Sequence, residues 1–136
     1  MKEIADTGLL VALLTRNDPF HAWALDAFRA WSPFVACDAM LAEAGSFFPD
    51  PTGLLKLVSR GDVVVDPEFS LSREWPGVLA LATKYADRPM DLADACVVRM
   101  TELHPRSRVW TVDRGDFVIY RRNGHHPIPC EFPPQG

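Results

Sequence analysis

The alternation of short apolar segments with segments of helical periodicity constrains the fold of this chain most strongly. The apolar segments are short and largely unbroken, which is typical of strands that are covered on both faces. Parallel neighbouring strands need long crossover connections, and helices usually supply them. The alternation therefore predicts an α/β fold with three layers, α/β/α, around a mostly parallel central sheet. The predicted strands lie at residues 2–5, 34–37, 63–65 and 108–112.

Capping residues, prolines and glycines predict where the helices begin and end. Asp18 followed by Pro19 is a typical helix start, and Gly61 is a typical helix terminator. Residues 117–120 are expected to form one more strand, and the His- and Pro-rich tail at about 123–136 is expected to be irregular. The predicted helices cover residues 9–14, 19–31, 38–48, 51–59, 73–85 and 92–103.

The length and composition of the chain limit the possible functions. With 136 residues, 48% of them hydrophobic, residues 1–136 are expected to form one domain with its own core. No stretch approaches the roughly 20 apolar residues of a membrane span, so the expected location is the cytoplasm. A net charge of -4 argues against a protein that simply coats nucleic acid, but it does not exclude a nuclease.

Four acidic residues are predicted to meet at one edge of the sheet. Asp6 and Asp113 follow predicted strands, and sites in open α/β sheets form beyond the carboxyl ends of strands. Glu43 and Asp94 lie among alanine and leucine residues on predicted helices. A carboxylate in such surroundings is costly unless a cation or a hydrogen-bond donor meets it.

Two of these acids have a second acid three residues away. Asp91 and Asp94 share one face at the start of a helix, and Asp91 could instead cap that helix. Of Asp113 and Asp116, one could shape a turn next to glycine, and Asp116 is the more expected for that role. The Thr111 hydroxyl could hydrogen-bond a neighbouring carboxylate and hold it in position.

Clustered carboxylates favour a metal-dependent reaction over the alternatives. Four of them on one rim would repel each other, and Mg²⁺ resolves this because it prefers oxygen ligands. The reaction that suits such a site is hydrolysis of a phosphodiester bond. Asp-Thr-Gly at residues 6–8 also matches the motif that each half of an aspartic-protease site carries. Aspartic proteases are all-β structures, however, and this short motif alone is weak evidence for that function.

The arrangement of these acids resembles that of PIN domains, and among them the single-domain ribonuclease toxins of the VapC type. The matching segments span nearly the whole chain in the family's order, although residues 47–74 add little. The segments are IADTGLLVALL, LAEA, YADRPMDLADACVV and TVDRGDFVIYRR.

The resemblance implies an endoribonuclease that depends on Mg²⁺ or Mn²⁺ and cleaves single-stranded or looped RNA. It also implies a cognate antitoxin protein that blocks the site, and a homodimer. By motif, the metal ligands and catalytic acids would be Asp6, Glu43, Asp94 and Asp113. The supporting residues would be Asp91, Asp116, Thr7 and Thr111.

Acidic residues alone cannot hold RNA, so contacts with its backbone must come from cations. Several arginines follow the third acid and could border the site; the expected RNA-binding residues are Arg114, Arg121 and Arg122. Two other functions remain open. One is a PIN-like module that binds RNA or a protein without cleaving it, which the full set of four acids disfavours. The other is a phosphoryl-transfer receiver domain, but this sequence lacks the phosphoacceptor Asp after a central strand and the Lys-Pro after the last strand that such a domain has.

Overall fold

The computed structural model describes residues 1–88 and 90–135, and it confirms the predicted α/β fold. The strands are β1 (Lys2–Ala5), β2 (Phe34–Ala36), β3 (Val63–Val65), β4 (Ser107–Trp110), β5 (Arg121–Arg122), β6 (His126–Pro127) and β7 (Cys130–Glu131). The helices are α1 (Thr7–Leu14), α2 (His21–Trp31), α3 (Asp38–Gly45), α4 (Thr52–Ser59), α5 (Leu71–Lys84), α6 (Leu92–Leu103) and α7 (Arg114–Phe117).

Five parallel strands form the central sheet in the order β3-β2-β1-β4-β7, and helices flank it in a three-layer α/β/α arrangement. Ile4 of β1 pairs with Val35 of β2 on one side and with Val109 of β4 on the other. Ile4 and Val109 are fully buried and Val35 is 8% exposed. The apolar segments form strands here because their side chains are covered by helices on both faces.

The strand order creates a switch point next to β1. The chain passes from β1 to β2 and β3 on one side, and then crosses back to place β4 on the other side of β1. Crevices at the carboxyl ends of strands that diverge in this way are the usual ligand sites of open α/β sheets. Asp6 directly follows β1, and Asp113 lies three residues after the end of β4.

Several predicted helix boundaries were wrong by two or three residues: α1 begins at Thr7 and not at residue 9, and α5 begins at Leu71 and not at residue 73. The second helix begins at His21 and not at Pro19, because the Asp18 carboxylate accepts the backbone N–H of Phe20 at 2.8 Å and forms a turn. The third helix ends at Gly45 and not at residue 48. Its last carbonyls accept the backbone N–H groups of Ser46, Phe47 and Phe48 in a series of turns before Pro49.

The prediction of a strand at residues 117–120 was also wrong. Phe117 is the last residue of α7, and the chain then turns to Tyr120. Phe117 and Tyr120 are buried, whereas Val118 and Ile119 between them are exposed, so the apolar run has the spacing of a helical turn and not that of a strand.

The tail is more ordered than predicted. Residues 121–122 and 126–127 form an antiparallel hairpin whose turn contains Asn123 and Gly124, both with positive φ. Residues 130–131 then add β7 to the edge of the sheet beside β4. Pro89 in the predicted break between helices and Gly136 at the end of the tail lie outside the described residues. None of the helices described for residues 1–88 and 90–135 is long and apolar enough to cross a membrane.

Candidate functional site

An acidic cleft of about 430 Å³ lies at the carboxyl ends of β1 and β4, at the switch point of the sheet. It brings together all four acids that the sequence analysis assigned to one rim. The acidic residues that line the cleft are Asp6, Asp18, Glu43, Asp91, Asp94, Asp113 and Asp116. A larger cavity of about 740 Å³ lies by the amino ends of β1 and β2, and it contains none of the predicted site residues.

Asp6 is the most deeply buried of the predicted acids that line the cleft, with 5% of its surface exposed. Its Oδ2 accepts a hydrogen bond of 2.7 Å from the Thr111 hydroxyl, as predicted for that threonine. The same hydroxyl accepts the backbone N–H of Asp113 at 2.9 Å, so Thr111 joins the acids of β1 and β4. The other oxygen, Asp6 Oδ1, is buried and has no hydrogen-bond partner.

The start of α1 positions a second pair of residues in the cleft. The Thr7 hydroxyl donates a hydrogen bond of 2.7 Å to Glu43 Oε2 on α3, which fixes one carboxylate oxygen of the predicted acid. Gly8 lets α1 approach the segment after β4, since a Cβ at this position would lie 2.3 Å from Val112 Cγ2. The absence of a side chain at Gly8 therefore helps to close the base of the cleft.

Asp91 and Asp94 enter the cleft from the start of α6. Asp91 caps this helix, because its carboxylate accepts the backbone N–H of Asp94 at 2.7 Å. The helix-cap interpretation of Asp91 is thus confirmed, although the residue also lines the cleft. Asp94 is 9% exposed, and its Oδ2 accepts a hydrogen bond of 3.1 Å from the Tyr120 hydroxyl.

Asp113 shapes the turn that had been expected of Asp116. Its Oδ1 accepts the backbone N–H of Asp116 at 2.9 Å and caps the short helix α7. Asp116 instead forms an ion pair of 3.0 Å with Arg88. Carboxylate oxygens of Asp94, Asp113 and Asp116 all lie within 4.8 Å of one another, and such a group could hold a metal ion.

Burial and mutual repulsion disfavour ionisation in the cleft. Burial raises the pKa of Asp6 to about 6, although the hydrogen bond from Thr111 opposes this effect. Burial, followed by the negative charges of Asp6 and Asp91, raises the pKa of Asp94 to about 8. Burial also raises the pKa of Asp113. Without a counter-charge, these carboxylates are costly to ionise together at neutral pH.

A divalent cation fits this donor set. The cleft presents carboxylate oxygens, which Mg²⁺ and Mn²⁺ prefer. Asp6 Oδ1 is buried and makes no hydrogen bond, whereas buried polar atoms nearly always make one. The backbone N–H of Thr7 is near enough to this carboxyl to lower its pKa, which only partly offsets the effect of burial. A cation would supply a partner for Oδ1 and reduce the repulsion among the acids.

A second group in the described chain could also hold a metal ion, and it lies outside the acidic cleft. It consists of Asp66, Glu68 and His104. His104 Nε2 lies 2.7 Å from Asp66 Oδ2, and Nδ1 lies 3.3 Å from Glu68 Oε2. His104 is hydrogen-bonded to Asp66 through Nε2, so this nitrogen would have to give up that bond to bind a cation.

The three arginines expected to bind RNA do not line the cleft. Arg114 donates to the carbonyl of Pro133 at 2.7 Å, and its guanidinium lies over the ring of Phe132. Arg121 donates to carbonyls at residues 118–120, and Arg122 donates to carbonyls of residues 101 and 105. These contacts hold the tail against the domain, and an RNA-binding role for the arginines stays a prediction.

Three residues around the cleft were not predicted from the sequence. Tyr120 was placed in a strand, and its contact with Asp94 depends on the turn after α7. Arg88 had no assigned role, because its pairing with Asp116 joins residues that are distant in sequence. Phe47 lines the cleft although it is 62% exposed, and no local sequence pattern marks this position.

No protein-family model matches this chain, and no curated protein matches it either. The class of protein that the fold and the cleft define is therefore an α/β protein with an acidic, carboxylate-lined site at the switch point of a parallel sheet.

Proposed function

We propose that this protein is a metal-dependent endoribonuclease with a PIN-like domain. The observation that carries the proposal is the buried, unpartnered Asp6 Oδ1 in a cleft that also contains Glu43, Asp94 and Asp113. A folded protein rarely collects several acids around an unpaired buried oxygen unless a cation belongs there. The order of the acids along the chain also resembles that of VapC-type toxins.

In this proposal Mg²⁺ or Mn²⁺ is held by Asp94, Asp113 and Asp116, whose carboxylate oxygens lie within 4.8 Å of one another. Asp6 and Glu43 line the same cleft and complete the predicted set of acids. When bound, such a cation supplies Lewis acidity, which lowers the pKa of water and offsets the charge of a phosphate group. The protein contributes orientation. Because its hydroxyl contacts both Asp6 and Asp113, Thr111 aligns the acids that follow β1 and β4.

Hydrolysis of RNA forms a new bond between a water oxygen and phosphorus, and it breaks the bond from phosphorus to the leaving ribose oxygen. The water loses a proton and the leaving oxygen gains one. Glu43 can accept or deliver such a proton, since Thr7 fixes only its Oε2 and the residue faces the cleft.

The proposal includes the protein partners that the resemblance implies: a cognate antitoxin that blocks the cleft, and a second copy of the chain in a homodimer. Exposed apolar side chains on α5 support a protein interface. Leu71 is 38% exposed, and Trp75 and Leu79 are each 57% exposed, at a spacing of four residues along one helix face. The proposed place of action is the cytoplasm, where RNA substrates are found.

The test is incubation of the purified protein with labelled single-stranded and structured RNAs, with Mg²⁺, with Mn²⁺ and with EDTA. We expect cleavage only with the metals, and we expect Asp94→Asn to abolish it while circular dichroism shows an intact fold. Asp26→Asn is the matched control, because Asp26 is exposed on α2 and does not line the cleft.

Two outcomes would contradict parts of the proposal. Equal cleavage by the Asp94→Asn variant would show that the site is elsewhere. Metal-independent binding of RNA without cleavage under any condition would favour the alternative, a PIN-like module that binds RNA or a protein without cutting.

A further inference from the structure

Phe47 exposes a large apolar surface inside an otherwise acidic cleft. It lies in the turn after α3, it is 62% exposed, and it lines the cleft together with Phe20 and the acids. Single exposed apolar residues are common on protein surfaces and need no explanation. This one is notable because it borders the candidate site for phosphate chemistry, where a ligand must pass.

The cations near the cleft already have partners. In the described part of the chain no lysine or arginine lines the cleft, Arg88 beside it is paired with Asp116, and the three arginines near the end of the chain are engaged with backbone carbonyls. Even when metal ions offset the negative charge of the acids, the protein needs a further contact to bind an RNA strand. Stacking of a nucleobase on an aromatic ring supplies binding energy that does not depend on charge.

We infer that Phe47 is the base-stacking residue of this site: it contacts the face of an unpaired nucleobase next to the scissile phosphate, and it thereby selects single-stranded RNA. This inference rests on the proposed ribonuclease function. In a duplex both faces of a base are covered by its neighbours, so a side chain at the cleft has no free face to contact. A cleft of about 430 Å³ has room for one extruded base beside the acids.

The test compares the cleavage kinetics of Phe47 variants with single-stranded RNA and with a duplex of the same sequence. Phe47→Ala should raise KM for the single strand about tenfold with kcat unchanged, as expected when a contact is equal in ground and transition states. Phe47→Tyr should retain the KM of the unaltered protein, whereas Phe47→Leu should behave like the alanine variant because it lacks an aromatic face. KM for any duplex cleavage should not change.

Trp31→Ala is the matched control. Trp31 is an aromatic residue of comparable exposure, 48%, at the end of α2, and it does not line the cleft. Its removal should leave KM and kcat unchanged, which separates stacking at the site from a general loss of exposed aromatic surface.

The outcomes distinguish this inference from the proposed function. If the unaltered protein cleaves RNA with metal and Phe47→Ala has the same KM, the stacking role is wrong and the ribonuclease function stands. An equal KM for Phe47→Leu and the unaltered protein would likewise overturn it, because the contact would then be merely apolar. If the unaltered protein cleaves no RNA with either metal, the function and the inference fall together.

Discussion

Replacing Asp94 by asparagine is expected to stabilise the metal-free protein. The substitution keeps the size of the side chain and an oxygen that can accept from Tyr120, and it removes one negative charge from a buried cluster. Burial and the charges of Asp6 and Asp91 raise the pKa of Asp94 from its ordinary value of 3.8 to about 8. A neutral residue at this position avoids that cost of ionisation.

The magnitude follows from the difference between the two pKa values. At pH 7 the Asp94 carboxyl is ionised in the unfolded chain, where its pKa is 3.8, and is mostly protonated in the native state. At about 1.4 kcal/mol per pKa unit, this difference lowers the free energy of unfolding by at most about 4 kcal/mol. Movement of side chains and entry of water reduce such energies, so we expect the metal-free variant to be more stable by about 1–3 kcal/mol. For a domain of this size that is roughly 4–12 °C in Tm.

The effect should depend on pH in one direction. Because native Asp94 keeps its proton to a higher pH than the unfolded chain does, the native state binds more protons between about pH 4 and pH 8. The free energy of unfolding of the unaltered protein in EDTA should therefore fall as the pH rises through this window, relative to the variant. At pH 4 and below, the two proteins should differ little.

Thermal melts followed by circular dichroism, in EDTA and in Mn²⁺ at several pH values, provide the assay. Saturating Mn²⁺ should stabilise the unaltered protein by about 2–3 kcal/mol at 100 times its Kd, and should stabilise the Asp94→Asn variant much less. Asp26→Asn again serves as the control for removal of a surface charge. Identical melts of variant and unaltered protein in EDTA from pH 5 to pH 8 would refute the reasoning.

Two further predictions concern the surroundings of the cleft, and a third concerns an ion pair between β1 and β4. Thr111→Val should weaken Mn²⁺ binding about 10–100-fold in a calorimetric titration, since Asp6 loses the hydroxyl that orients it. Gly8→Ala should lower the free energy of unfolding by about 1–3 kcal/mol in urea, and adding Val112→Ala should recover most of the loss, because the new Cβ collides with that side chain. Arg108→Met should lower the free energy of unfolding by about 3–5 kcal/mol in the same urea assay, since it leaves the buried carboxylate of Glu3 on β1 without its ion-pair partner. A decrease below about 1 kcal/mol would contradict this last estimate.

Local chemistry made much of the fold predictable. The runs at residues 34–36 and 63–65 are strands because they are short, apolar and rich in β-branched or aromatic residues, and the helix at Leu92–Leu103 begins after a good capping residue. The failures came where a side chain redirected the backbone. The Asp18 carboxylate formed a turn instead of capping a helix. The Asp113 carboxylate capped the short helix α7, whose last residue begins the stretch 117–120 that had been expected to form a strand.

The edge strand β7 could not be predicted for a different reason. Residues 130–131 are few and follow prolines, so no local pattern distinguishes them from an irregular tail. They form a strand because β4 leaves backbone groups unpaired at the edge of the sheet, and Thr111 N–H donates to the carbonyl of Glu131 at 3.1 Å.

The sequence by itself determined the fold class and indicated which four acids would lie at one edge of the sheet. Both depend on local features: the periods of strands and helices, and single carboxylates among apolar residues. Tertiary structure decided what each acid contacts. The Thr111 hydroxyl reaches Asp6 across 105 positions of sequence only because β1 and β4 are neighbours in the sheet. Packing of α3 against the start of α1 brought Phe47 to the cleft, and no local pattern encodes that long-range contact.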